Sequence, residues 1–155
     1  MAKVNWTNSG GGDFAIGTNW STGTVPVSSS IANINATGTG TYTVTSSVNE
    51  TVLAITTIPT ATLDVTAGNF TALAGTGLGA NAGNITVESG ATFIVGGTVE
   101  NSGIITLNIR ATLDLARDTI LQGGGKLILF NNTSNNSGQP HRSPAYIKPQ
   151  HECCT

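Results

Sequence analysis

In four short segments between residues 85 and 115 apolar side chains recur at every second position. Ile85 and Val87 point one way with Thr86 opposite, and Phe93 and Val95 share a side with Ile94 on the other. Ile105, Leu107 and Ile109 alternate with Thr106 and Asn108, and Leu113 and Leu115 flank Asp114. A period of two is the mark of a half-buried β-strand, whose successive side chains face opposite sides of a sheet.

The alternation recurs in similar words. ATLDV stands at 61–65, ATFIV at 91–95 and ATLDL at 111–115. Six residues before each word an isoleucine opens an Ile-Thr pair, at Ile55, Ile85 and Ile105. A weaker unit, GGKLILF, follows around Lys126. Self-similarity at about 20 residues marks a solenoid. The chain is therefore predicted to be all-β, a right-handed parallel β-helix of about five irregular coils with about 20 residues per coil. On this reading the three words form one ladder: Leu63, Phe93 and Leu113 stack inside while Asp64, Ile94 and Asp114 face out. The 30-residue interval between the first two words then holds a ten-residue turn insertion, GTGLGANAGN at 75–84. One coil cannot bury its apolar side alone, and stacking coils about 4.8 Å apart supplies both the core and the backbone partners. A slip of one residue would turn the apolar set outward, so register is strongly specified. The alternative is a β-sandwich, which also suits many short strands but has no reason to repeat a word in register.

Composition agrees with short strands and tight turns. The chain has 155 residues, 20 of them glycine, and only 9% are charged, against about 25% in ordinary globular proteins. A hydrophobic share of 38% and a formal net charge of -2 set it apart from disordered polyelectrolytes. No run approaches the roughly 18 apolar residues of a membrane helix. The six basic residues form no cluster, which argues against a nucleic-acid or anionic-membrane surface. Both cysteines, Cys153 and Cys154, are adjacent at the end, so disulfides do not staple the body.

Residues 1–34 break the pattern. They hold Trp6, a glycine-rich stretch, Asn19-Trp20, Pro26 and Ala32-x-Ile34. This order resembles the opening of β-helical passenger regions in bacterial autotransporter-type surface proteins, and the Thr-, Val-, Gly- and Asn-rich coils that follow resemble the same family. The resemblance covers roughly residues 3–130. It implies a segment exposed at the cell surface or outside the cell as part of a longer precursor, meeting surface glycans or other adhesin chains. The N-terminus, MAKVNWTNSGGG, is not a signal peptide, and no membrane barrel follows. Both departures point to a fragment or a truncated relative.

Three regions follow: a cap and first strand at 1–34, coils at 35–130, and a poorly ordered tail at 131–155. Trp6, Phe14 and Trp20 are expected to form a lid over the open solenoid end, with a sugar-stacking platform as the other reading. The tail holds three of the five prolines and both histidines, as though the β-helix reading had been interrupted. Its start leaves a weakly charged KLILF edge at 126–130, which implies end-to-end self-association.

Candidate chemistry is sparse. Asp64 and Asp114 would sit in one ladder at least roughly 10 Å apart, spaced by Ile94, and read as solvated strand residues. His151, Cys153 and Cys154 match no zinc module, and His141 has no partner. GGGDFAIG at 10–17 lacks the spacing of calcium-binding glycine–aspartate repeats and is no phosphate loop. Asn-x-Ser/Thr triplets at Asn69 and Asn84 arise readily in so Asn- and Thr-rich a chain. The body holds no histidine to activate a nucleophile. No residue is assigned to catalysis, a cofactor or a metal. The sequence reads as a non-catalytic structural or adhesive segment. The alternatives are a carbohydrate-active β-helix enzyme or binding module, and a pseudogene product without present function.

Overall fold

The computed structural model describes residues 1–116 and 118–130 together with the backbone of Tyr146–Pro149. The strands are β1 (Ala2–Asn5), β2 (Gly12–Asp13), β3 (Ser30–Ile34), β4 (Tyr42–Ser46), β5 (Glu50–Val52), β6 (Ala54–Thr57), β7 (Ala61–Val65) and β8 (Asn69–Ala72). They continue as β9 (Asn84–Val87), β10 (Thr92–Val95), β11 (Thr98–Glu100), β12 (Ile104–Leu107), β13 (Thr112–Leu115), β14 (Ile120–Gln122), β15 (Lys126–Leu129) and β16 (Tyr146–Pro149).

They build a parallel β-solenoid with three faces. Face one runs β1-β3-β6, continues through residues 75–82 and ends in β11-β14. Face two is β2-β4-β7-β9-β12-β15, and face three is β5-β8-β10-β13-β16. From β3 onward each coil visits the faces in the order one, two, three. Partners from β3 to β15 lie between 19 residues apart (Tyr42 and Ala61) and 24 (Thr57 and Asn81). The solenoid expected from the alternation is the fold.

The phase of the repeat differs from the expectation. ATLDV is β7 on face two, where Leu63 stacks between Val44 and Ile85. ATFIV and ATLDL contain β10 and β13 on face three, where Phe93 stacks between Phe70 and Leu113. The 30-residue interval is one coil plus one face. Residues 75–82 are not an insertion: they occupy a place on face one between β6 and β11, with Ile55 N–H donating to Gly75 O and Asn81 N–H to Glu100 O. Ile85 and Ile105 do stack, but Ile55 lies on face one beside Ala32. The word repeats because it records a local need. A strand leaving a tight corner starts with a small residue, and Ala61, Ala91 and Ala111 are all buried there; it then alternates in and out. Two different corners of one coil satisfy that need equally.

The N-terminal end is closed. Trp6, Phe14 and Trp20 are at most 2% exposed. Trp20 meets Trp6 and Phe14 edge-on at 5.0 and 4.8 Å, and Phe14 meets Phe70 at 5.2 Å, the geometry that ring quadrupoles favour. Both indole N–H groups are satisfied, Trp6 Nε1 by Asn8 O at 2.7 Å and Trp20 Nε1 by Phe14 O at 2.8 Å. The end of β1 is paired too: Thr7 N–H donates to Asn19 O and Ser21 N–H to Asn5 O, each at 2.8 Å, around an antiparallel Trp6–Trp20 bridge. The lid thus covers the core and holds the end of β1. Buried rings leave no stacking platform for a sugar.

At the corner from face one to face two the core turns polar. Thr57, Asn81 and Asn101 are buried and stacked. Thr57 Oγ1 donates to Asn81 Oδ1, Asn81 Nδ2 to Asn101 Oδ1 at 2.7 Å, and Asn101 Nδ2 to Lys126 O at 3.1 Å. The coils approach so closely here that a Cβ at Gly103 would collide with the carbonyl oxygen of Gly83. The corner therefore reads Asn-x-Gly twice, at 81–83 and 101–103. Replacing Asn81 with Ala removes the acceptor of Thr57 and the donor to Asn101 together. Stranding buried polar groups costs about 1–3 kcal/mol each, so urea unfolding of Asn81→Ala is expected to show a loss of at least about 2 kcal/mol. A loss within error of zero would contradict the ladder.

Candidate functional site

The outer side of face two is a polar array. One row runs Thr43, Thr62, Asn84, Ile104, and the next runs Thr45, Asp64, Thr86, Thr106. β-Branched residues suit these positions because their stiff side chains stand well on a pleated surface. Asn84 is tied into the array by Nδ2 donating to Thr62 Oγ1 at 3.4 Å.

Asp64 belongs to this array, but Asp114 does not. Asp114 lies on face three beside Ile94. The expected common ladder of the two aspartates is overturned by the same change of phase that separates their strands. Ile94 does neighbour Asp114, as the aligned words implied.

The carboxylate that does lie near Asp64 is Glu88. It follows β9 and sits one coil on, its N–H donating to Val65 O at 2.9 Å. Burial pushes the Asp64 carboxyl above the usual carboxylate range, and the charge of Glu88 adds to the shift. Asp64 Oδ1 is sealed from solvent without a hydrogen-bond partner. Glu88 Oε2 accepts from Asn108 Nδ2 at 2.8 Å. A second carboxylate pair lies at the N-terminal end. Glu50 shares a register position with Phe70, and its carboxyl is raised by burial and then by Asp13. Asp13 Oδ1 accepts from Ala15 N–H at 2.8 Å, so GGGDFAIG acts as a turn.

An acid–base pair needs a substrate held between its members. A depression of ≈ 420 Å³ lies instead at the corner from face two to face three, lined by Ser89, Asn108, Ile109, Arg110 and Phe130. Neither Asp64 nor Glu88 lines it. Arg110 holds a left-handed backbone, φ 67°, where the coil above has Gly90 at 84°. Among the described residues no three His, Cys, Asp or Glu come together as a metal site, and no helix is long and apolar enough to cross a membrane. His141, His151, Cys153, Cys154 and the order of the tail, apart from β16, lie outside the described residues.

Sequence reasoning missed Glu88 and Glu50. The signal that finds them is the true coil length. A shift of 22 residues brings Asp64 beside Thr86, two residues before Glu88, and one of 20 brings Glu50 beside Phe70, whereas the 30-residue match of the first two words puts Asp64 beside Ile94 instead.

The raised Asp64 carboxyl has a consequence for stability. A carboxyl whose folded-state pKa exceeds its unfolded value contributes fully below the unfolded pKa, and the contribution is lost as pH rises through the folded value. Asp64→Asn removes that loss. Thermal melts are expected to place the variant above the parent chain at pH 7, with the gap closing near about pH 3. A lower midpoint for the variant at pH 7 would contradict the assignment. Comparison with protein-family models, curated proteins and solved structures finds no match to this chain.

Proposed function

We propose that the chain is a non-catalytic structural segment of a bacterial surface or secreted passenger protein, a stiff spacer that holds other surfaces away from the cell. The observation that supports this best is the continuous stack. Parallel pairing runs through every coil, an aromatic lid ends it, and the outer side of face two is a Thr/Asn array rather than a cleft. Such a rod transmits force through many backbone hydrogen bonds and presents its side chains at a fixed spacing. Adhesion to surface glycans or to other passenger chains is the role that spacing suits.

The test is location and topology in the source cell. Antibodies raised against the folded chain should label intact cells, and protease added outside should remove the label. Labelling only after lysis would contradict the reading. A carbohydrate-binding or carbohydrate-active role is the second reading, favoured by the half-exposed Phe130 beside Arg110 and Asn108 in the corner depression. A rod without a ligand there predicts no shift of the Ser89, Asn108 and Arg110 amide signals across a panel of neutral and acidic oligosaccharides. Saturable shifts confined to those amides would favour the second reading.

A further inference from the structure

The two ends of the solenoid are not alike. At the N-terminal end the aromatic lid covers the core and residues 19–21 pair with the end of β1. Among the described residues β14, β15 and β16 are the last strands of faces one, two and three. Ile120 and Leu121 of β14 and Leu129 and Phe130 at the end of β15 are between 39% and 56% exposed. Leu121 pairs in register with the buried Val99, and Leu129 with the buried Leu107, so these two lie on the core side of the last described coil. Lys126 is the one charged residue in β14, β15 and Phe130.

The backbone of β15 points partners outward. Lys126 N–H donates to Gly103 O and Phe130 N–H to Leu107 O, both toward β12. Alternation in a parallel ladder then directs the N–H and C=O of Leu127 and Leu129 to the open side. Such an edge takes a further strand, and its residues satisfy a second copy of themselves.

We propose that β14 and β15 form the interface of a symmetric tail-to-tail dimer, in which β15 pairs antiparallel with β15 of a second copy. The symmetry follows from the core. A twofold axis along the normal of face two reverses the strand direction and keeps the apolar side inward, whereas one along the strand would turn it outward. Aligning residues 126–130 antiparallel sets Leu127 opposite Leu129 of the second copy, Lys126 opposite Phe130, and Ile128 on the axis. No like charges oppose each other. The same axis exchanges faces one and three, bringing β14 of each copy over β16 of the other. The contact is isologous, each copy giving the same strands to the other, and so it closes at two. This goes beyond the spacer reading and does not depend on it.

The test is the mass of the intact chain by light scattering across a concentration series, with β content followed by circular dichroism. The expected plateau is twice the 15.7 kDa of one chain. Leu129→Pro deletes a donor on the open side without removing a bond to β12, and Leu121→Lys places a charge at the exposed core end. Each should return the mass to one chain while the β signal is kept. A parent chain that stays monomeric throughout overturns the proposal, and exchange-protected Leu127 and Leu129 amides in that monomer would show that the chain's own residues after 130 cover the edge. Masses that keep growing with concentration overturn it as well, since they require a second interface on each copy.

Discussion

Each strand is held by the strand one coil away, through parallel backbone hydrogen bonds in a fixed register. Everything else in the fold serves that contact. A coil of some 20 residues has too little apolar surface to be stable by itself, so its core exists only when neighbours stack. Stacking at strand spacing demands corners that almost touch. This is why Gly103 lies against Gly83 and why small alanines begin the words at 61, 91 and 111. The same closeness lets buried side chains bond along the axis. Thr57, Asn81 and Asn101 do so, turning a corner too tight for large apolar groups into a satisfied polar column.

The sequence discloses strand type and solenoid class well, because a period of two and a recurrent word are properties of short segments. It discloses phase poorly. ATLDV and ATFIV look alike because both leave a corner, yet Leu63 stacks on Ile85 and Phe93 on Phe70. Matching words assumed one corner of this kind per coil, where the coil has three faces and reuses the pattern. The aromatic lid was legible, since Trp6, Phe14 and Trp20 concentrate in a stretch that breaks the alternation. The Asp64–Glu88 neighbourhood was not. It depends on a coil length that no single word reveals, and Glu88 lies just outside the words.

The surfaces that result are of three kinds. The start of the rod is closed by rings and by an antiparallel turn. Its sides are arrays of threonine and asparagine broken by a few carboxylates, of which Asp64 and Glu50 are held above their usual range by burial. Its far end, among the described residues, exposes Ile120, Leu121, Leu129 and Phe130. Raised carboxyls on a solenoid do not by themselves imply catalysis. Here they follow from stacking Asp64 among threonines and Glu50 in line with Phe70, where desolvation is imposed by neighbours one coil away. The same stacking that builds the solenoid therefore sets its electrostatics.

The three-face phase is tested most directly by disulfide trapping, in a background with Cys153 and Cys154 replaced by serine. Thr71 and Ile94 are register partners on face three, so their Cα atoms lie about 4.8 Å apart, inside the roughly 4.4–6.8 Å that a disulfide spans. Asp64 and Ile94 hold the same place in their words but lie on different faces. Thr71→Cys with Ile94→Cys is expected to cross-link under mild oxidation, and Asp64→Cys with Ile94→Cys is expected to stay reduced. Cross-linking of the second pair in place of the first would contradict the account.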